Sequence, residues 1–288
     1  MKYGLRFPKR CPIGASFCTK KKALILLFLI QALLLGACGN NITEEAAPET
    51  LQDAGPVISI TSETPEDTEK PDPEENPQED EQPDPATAFY STEISDELFL
   101  RMQGKSFKDD CTLPREDLRY LHVLHKTIDG ETKEGELVVN VHIAEPVLMI
   151  FRELYENDYP IEKIRLIDEY DADDERSMED NNTSCFNFRL VSDTNTVSRH
   201  GMGLAIDINP FYNPYVRTKD GEMLVEPVGA EDYADRTQEF PYKIDPDDLA
   251  YKLFTEHGFT WGGSWKNSKD YQHFEIPKDT IKEWYPDQ

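Results

Sequence analysis

The distribution of apolar residues between positions 118 and 158 predicts two strands followed by a helix. Residues 118–126 alternate between apolar and polar side chains, as a half-buried strand does. Asp129 and Gly130 form a turn signal, and the alternating positions beyond them predict a second strand whose apolar face comprises Leu137, Val139, Val141 and Ile143. Apolar residues then recur at helical spacing, which predicts an amphipathic helix over 144–158 that ends before Pro160.

The second half of the chain carries a similar mixture of patterns. Residues 163–170 are expected to form another strand, and the acidic residues 171–180 a loop. The apolar run at 204–206 predicts a short buried strand. A further helix is expected to begin at 245–248, which offers an N-cap, a proline and acidic residues, and to end at Gly258. This mixed order favours an α+β fold with an antiparallel sheet and flanking helices.

The N-terminal residues have the pattern of an export signal. Three lysines at 20–22 precede an apolar run at 23–35, which is too short for a comfortable membrane span. The run ends in Leu35-Gly36-Ala37-Cys38, which resembles a bacterial lipobox. Residues 1–38 are therefore interpreted as a lipoprotein signal that ends at a lipidated Cys38. A plain signal peptide and an uncleaved anchor helix are the alternatives.

Composition divides the rest of the chain into two parts. Residues 39–88 contain eight prolines and fifteen acidic residues, so they bury too little apolar surface to fold and are expected to form a disordered acidic linker. Residues 89–288 are long enough for one core. The formal net charge of −27 argues against nucleic acid as a partner, because phosphate binding requires basic patches.

Candidate chemistry is concentrated in two short motifs of the C-terminal part. His200 and Asp207 flank two glycines and the predicted strand at 204–206, and a bend at the glycines can bring them to one point. Imidazole and carboxylate groups are both zinc ligands, and His273 can supply the third. Asp270 would then be able to reach a water at the fourth position. Either motif alone is more often a set of surface or core residues, but their joint occurrence among glycine and aromatic residues favours a metal site.

These motifs resemble a known peptidase family. The pattern Ser198-x-His200-x-x-Gly203-x-Ala205-x-Asp207, followed by Asp270-x-x-His273, is similar to that of the D-alanyl-D-alanine carboxypeptidase metallopeptidases, the VanY-type enzymes and their phage endolysin relatives. Residues 182–189 also resemble the family's arginine-bearing segment, and the resemblance runs from about 118 to 276.

The resemblance implies a role for each matching residue. It implies a hedgehog/DD-peptidase-like fold and zinc ligands at His200, Asp207 and His273. It implies a general base at Asp270, where several members carry Glu, and a transition-state-stabilising arginine at Arg189. Ser198 is expected to bind the substrate backbone or its terminal carboxylate.

The resemblance also implies a substrate, the peptidoglycan stem peptide. We therefore expect a monomeric zinc peptidase, most simply a D-alanyl-D-alanine carboxypeptidase, anchored by lipid on the extracytoplasmic face of a bacterial membrane. A peptidoglycan endopeptidase and a non-catalytic wall-binding lipoprotein with a zinc-stabilised fold are the alternatives. Two questions stay open: whether Cys111 and Cys185 form a disulfide, and whether Trp261 and Trp265 belong to the core or to a substrate groove. The remaining histidines are interpreted as surface, core or helix-end residues: His122, His125, His142 and His257.

Overall fold

The computed structural model describes residues 83–191 and 194–286. The predicted signal segment, the lipidation site at Cys38 and the linker up to residue 82 lie outside these ranges. Within them, no helix combines the length and the apolar character that a membrane crossing requires.

Helices and strands alternate irregularly along the described residues. The α-helices span Pro85–Ala88 (α1), Asp96–Met102 (α2), Ala144–Glu156 (α3), Asp174–Glu179 (α4), Leu249–Glu256 (α5) and Lys278–Trp284 (α6). The strands span Tyr90–Glu93 (β1), Leu118–Lys126 (β2), Thr132–Asn140 (β3), Lys163–Ile164 (β4), Asn182–Thr183 (β5), Ala205–Asp207 (β6), Tyr215–Lys219 (β7), Glu222–Glu226 (β8), Thr260–Trp261 (β9), Ser268–Asp270 (β10) and His273–Glu275 (β11). Three antiparallel sheets of three strands and one parallel pair result, so the predicted α+β class with antiparallel sheets is confirmed.

The first sheet has the strand order β1-β2-β3, and α3 packs against it. β2 has the predicted bounds, and the turn at Asp129 and Gly130 is confirmed by the left-handed φ of 80° at Gly130. β3 ends at Asn140, earlier than the pattern suggested, and Ile143 is buried just before α3. The buried face of α3 carries the apolar residues that predicted the helix: Val147, Ile150, Phe151 and Leu154.

The second sheet has the strand order β6-β11-β9 and carries Asp207 and His273 on neighbouring strands. Phe274 in β11 pairs with Ile206 on one side and with Trp261 on the other, and all three side chains are buried. Since side chains alternate along a strand, His273 and Glu275 lie on the face opposite to Phe274. The sheet therefore separates an apolar face in the core from a polar face.

The third sheet joins the long segment between β6 and α5 to the strand that ends at Asp270. β7 pairs with both β8 and β10, and Tyr215 lies opposite Asp270. Arg236 holds this segment together, because its guanidinium donates to the carbonyl oxygens of Tyr212 and Ile244 and lies 4.4 Å from the ring centre of Tyr271.

Two predictions about residues 163–180 were wrong. The strand expected over 163–170 stops at Ile164, because the Asn182 side chain takes the next ladder position. Its amide accepts from Arg165 N at 2.8 Å and donates to Arg165 O at 3.1 Å. A 3-10 helix, Ile167–Tyr170, follows. The expected acidic loop contains α4, since Asp173 caps Arg176 N at 3.2 Å.

Two predicted boundaries also move. The helix expected from 245–248 begins at Leu249 with Asp248 as its N-cap, because a turn closed by the Asp248 N to Asp245 O hydrogen bond precedes it. The folded part begins before residue 89: α1 falls within the predicted linker. Asp84 caps α1 and Ala88 is buried, so the end of this proline- and acid-rich stretch has a local helix-starting signal and a place in the core.

Candidate metal centre

The three predicted ligand residues lie together in the structure. His200, Asp207 and His273 each offer one donor atom, and these atoms lie within 4.8 Å of one another. The three residues are 4%, 9% and 7% exposed, respectively. Buried charged or polar groups are stable only when they are paired or bind a cation, so this cluster requires a specific reason to exist.

Local backbone geometry explains how the sequence brings them together. His200 begins a 3-10 helix that ends at Gly203, whose φ is 64°. A Cβ at Gly203 would lie 2.8 Å from the backbone nitrogen of Asn140. Both this close contact and the left-handed φ therefore disfavour any residue other than glycine here. The chain then enters β6, where Asp207 lies directly opposite His273 of β11. The predicted bend followed by a strand is therefore confirmed.

The separations of the donor atoms suit a tetrahedral metal ion. His200 Nε2 lies 3.2 Å from Asp207 Oδ2 and 3.2 Å from His273 Nδ1, and His273 Nδ1 lies 2.9 Å from Asp207 Oδ1. Ligands at zinc bond lengths of about 2.0–2.2 Å in tetrahedral geometry are roughly 3.3–3.6 Å apart, so only a small outward shift of these atoms would be needed. Two imidazole nitrogens and a carboxylate oxygen are also a ligand set that zinc prefers, so the residues present fit a metal site.

Hydrogen bonds outside the cluster orient both rings. His200 Nδ1 lies 2.7 Å from the carbonyl oxygen of Cys185, which can only accept, so Nδ1 carries the proton and Nε2 is free to bind a metal. His273 Nε2 lies 3.4 Å from Glu275 Oε2, which leaves Nδ1 directed at the cluster. Cys185 is a free, buried thiol, as Cys111 is a free, half-buried one, so the two do not form a disulfide.

The electrostatics favour a positive charge among these donors. Burial opposes ionisation of Asp207, but the charges and hydrogen bonds of the two histidines hold its pKa well below its usual range. Burial likewise opposes protonation of His273, yet hydrogen bonds to Asp207 and Glu275 raise its pKa to about 10. A bound cation meets the same electrostatic demand.

Asp270 lies beside the cluster. A Cβ at Gly262 would lie 2.6 Å from the Asp270 carbonyl oxygen and 2.8 Å from Asp270 Cβ, so glycine permits the close approach of this strand. Asp270 Oδ1 is buried and has no hydrogen-bond partner among the described residues. Burial raises the pKa of Asp270 to about 7, against the charges of His273 and Arg189. A carboxyl group of this kind can accept and release a proton near neutral pH.

Arg189 is held next to the cluster by two side chains. Its Nε donates to Asp174 Oδ2, and its Nη1 donates to Ser198 Oγ at 2.8 Å. Ser198 Oγ also accepts from the backbone nitrogen of His200 at 3.2 Å. Ser198 therefore links Arg189 to the turn that carries a ligand residue, while its predicted contact with substrate stays a prediction.

The aromatic residues that the sequence left open separate into two roles. Trp261 is buried, and its Nε1 donates to the Tyr271 carbonyl oxygen at 2.8 Å, so it belongs to the core. Trp265 is half-buried, and its ring centre lies 5.5 Å from that of His273, so it borders the site. The other histidines lie outside the cluster: His122, His125, His142 and His257.

Sequence patterns did not reveal the contacts by which three residues organise the site. Asp174 orients Arg189, and Glu275 contacts His273 while Arg199 contacts Glu275. Asp174 belongs to an acidic run with no distinguishing spacing. The period of two between His273 and Glu275 is a usable signal, because it places both side chains on one face of a strand.

Comparison with known proteins bears on this segment alone. Residues 192–276 match the family model described as D-alanyl-D-alanine carboxypeptidase. No curated protein and no solved structure matches the chain. The matched residues include the three clustered ligand residues and Asp270, while Arg189 lies three residues before them. The resemblance read from the motifs is thus confirmed, because the segment that carries the candidate metal centre is similar to the D-alanyl-D-alanine carboxypeptidase family of peptidases.

Proposed function

We propose that this chain is a zinc-dependent peptidase that cleaves peptidoglycan stem peptides, most simply as a D-alanyl-D-alanine carboxypeptidase with a hedgehog/DD-peptidase-like fold. The observation that carries the proposal is the cluster of His200, Asp207 and His273 donors within 4.8 Å, beside Asp270, whose Oδ1 has no hydrogen-bond partner among the described residues. The family match supports the peptidase class.

Zinc held by these three side chains would supply Lewis acidity and lower the pKa of a bound water. The protein's own residues supply the remaining chemistry. Asp270 accepts the proton of the attacking water and returns it to the leaving amine. Arg189 donates charge-assisted hydrogen bonds to the oxygen on which negative charge develops. Its contacts with Asp174 and Ser198 keep the guanidinium in place before the substrate arrives.

A metal-binding protein without turnover needs only the ligands. The presence of both a buried carboxyl group with a pKa near 7 and a fixed guanidinium favours an enzyme over a wall-binding module. We further propose a monomer that is anchored through a lipid on Cys38, with its folded part outside the cytoplasm. A wall substrate is accessible there.

Digestion of purified muropeptides by the zinc-loaded full-length protein tests the reaction. Loss of one terminal alanine from pentapeptide stems, detected by mass, is the expected result. Cleavage within the stem would replace carboxypeptidase by endopeptidase activity. Intact stems with zinc bound at one equivalent would overturn the enzyme proposal in favour of a binding protein. His273→Ala is expected to lose both the metal and the cleavage.

A further inference from the structure

The Glu275 carboxylate contacts His273 on the side of its ring that faces away from the other donor atoms of the candidate metal centre. Glu275 follows His273 by two positions in β11, so both side chains lie on the same face of the strand. Glu275 Oε2 lies 3.4 Å from His273 Nε2. The other ring nitrogen, Nδ1, lies 2.9 Å from Asp207 Oδ1 and 3.2 Å from His200 Nε2. The imidazole of His273 thus bridges the donor cluster and Glu275.

This arrangement determines which nitrogen of His273 can bind a metal. A neutral imidazole carries one proton, and a carboxylate can only accept it. The contact with Glu275 therefore favours the proton on Nε2 and a free lone pair on Nδ1, where the cluster lies. The opposite tautomer would direct an N–H at the metal position and leave the half-buried Glu275 carboxylate without this partner.

Arg199 fixes Glu275 in turn. Its Nε lies 3.6 Å from Glu275 Oε2, and the two side chains are 22% and 23% exposed. Arg199 precedes His200 directly, and its carbonyl oxygen accepts from the backbone nitrogens of Met202 and Leu204 in the turn that carries this ligand. An ion pair that is largely shielded from water is stronger than one on the surface. Arg199 and Glu275 therefore connect the two histidine segments outside the donor cluster.

The two ligand histidines are oriented by different chemistry. His200 Nδ1 donates to a neutral backbone carbonyl, which no side-chain substitution removes. His273 depends on a charged side chain, which strengthens the hydrogen bond and makes the ring a better electron donor to a cation. A substitution at Glu275 therefore tests the orientation of one ligand and leaves all three ligands present.

We propose that Glu275 is a positioning residue of the metal centre, which holds His273 in the tautomer that presents Nδ1 to the metal and is itself held by Arg199. The inference rests on the proposed zinc site. It assigns Glu275 a role distinct from proton transfer, because its carboxylate contacts the ring nitrogen of His273 that faces away from the donor cluster.

The test is zinc affinity of the full-length protein, measured by competition with a chromophoric chelator. Glu275→Met keeps the approximate shape and removes the acceptor, and it is expected to weaken zinc binding by about 10–100-fold. Glu275→Gln keeps an acceptor without the charge and should recover part of this loss. Glu283→Gln, at an exposed position of α6, is the matched control and should leave the affinity unchanged.

Two further readouts separate positioning from general stability. The visible spectrum of the cobalt-substituted protein should change in Glu275→Met, because the ligand field depends on the orientation of His273. Thermal unfolding identifies a variant that merely fails to fold. If Glu275→Met does not fold, Glu275→Gln and Arg199→Met decide, and each should bind zinc measurably more weakly than the wild type.

The outcomes are distinguishable from failure of the proposed function. If the wild-type protein binds no zinc, the proposed metal site itself is contradicted. A wild-type protein that binds zinc, together with folded Glu275 and Arg199 variants of equal affinity and unchanged cobalt spectrum, overturns only the role of Glu275.

Discussion

At the scale of single residues, Asp270 combines burial with a carboxylate oxygen that has no hydrogen-bond partner among the described residues. Its pKa of about 7 lies where a group can both accept and release a proton at neutral pH. Asp270→Asn keeps the size of the side chain and removes the proton acceptor. We expect kcat to fall by about 10²–10⁴-fold while zinc content stays near that of the wild type. The measurements are the kcat for muropeptide cleavage and the zinc content of the same Asp270→Asn preparation.

The matched control for this substitution is Asp279→Asn, because the Asp279 side chain is 95% exposed and lies in α6, outside the donor cluster. It should leave both quantities unchanged. Loss of zinc in Asp270→Asn would make Asp270 structural or a ligand, and turnover at the wild-type rate would remove it from the reaction.

Arg189 illustrates how one residue depends on another that sequence patterns do not reveal. Asp174 accepts from both Arg189 and Asn187, so it fixes the direction of the guanidinium. Asp174→Ala is expected to lower kcat by about 10–100-fold, since small displacements of a transition-state contact have effects of this size. Steady-state kinetics of this variant, of Arg189→Ala and of the double variant provide the measurement.

The double variant should be no slower than Arg189→Ala alone, because both substitutions remove the same interaction. Glu179→Gln, exposed in the same helix, is the control. Additive losses would contradict a role of Asp174 through Arg189.

The juxtaposition of His200 and Asp207 could be predicted from the sequence because their spacing and the glycines between them form a compact motif. His200 and Asp207 are separated by one turn and one strand, so local geometry nearly suffices to join them. The contact between Arg189 and Asp174 could not be predicted, because it depends on where α4 packs. Contacts between residues that are close in sequence could thus be predicted, whereas contacts that depend on tertiary packing could not.

At the scale of elements, alternation identified β2 and β3 correctly, where the two strands pair with each other along their backbones. It failed over 163–170. There the strand pairing ends after two residues, and the Asn182 side chain forms the next hydrogen bonds with the backbone of Arg165. The prediction of a loop over 171–180 also failed, because Asp173 and the acidic first turn of α4 form a recognisable helix start. Charge alone had suggested a loop there, and capping chemistry outweighed it.

Helix α5 begins at a carboxylate whose ionisation should influence stability. Burial raises the pKa of Asp248 to about 6, although hydrogen bonds from Tyr159 and from Ala250 N favour the ionised form. The folded state therefore binds the proton more tightly than the unfolded state, whose carboxyl has its ordinary pKa of about 4. Ionisation consequently costs stability as the pH rises from about 4 through about 6, by about 1–2 kcal/mol after screening by solvent.

Asp248→Asn keeps the cap and cannot ionise, so it should abolish this cost. The gain in the free energy of unfolding of the variant over the wild type is expected to be larger at pH 7 than at pH 4. Urea unfolding of both proteins at the two pH values measures this difference. Asp247→Asn changes an exposed carboxylate one residue earlier and serves as the control. An identical difference between variant and wild type at both pH values would contradict the argument.

At the scale of the whole molecule, charge is distributed unevenly. Residues 1–37 contain seven basic and no acidic residues, while residues 38–88 have a net charge of −14. Composition places the start of the folded part at residue 89. It missed α1, because proline and aspartate count toward a linker in composition although they also start helices. At this boundary, the capping signal at Asp84 identifies a helix that average composition does not.

The N-terminal pattern leads to a prediction about the location of the whole chain. Because small residues directly precede Cys38 at the end of the apolar run, we expect this cysteine to carry lipid. Cys38→Ala, expressed as the full-length chain in bacteria, should release the protein from the membrane fraction or accumulate it as a larger precursor. Cys18→Ala, before the apolar run, is the matched control and should remain membrane-bound. Fractionation after a mild alkaline wash, with immunoblotting for size, is the measurement. Unchanged size and membrane retention in Cys38→Ala would instead indicate an uncleaved anchor helix.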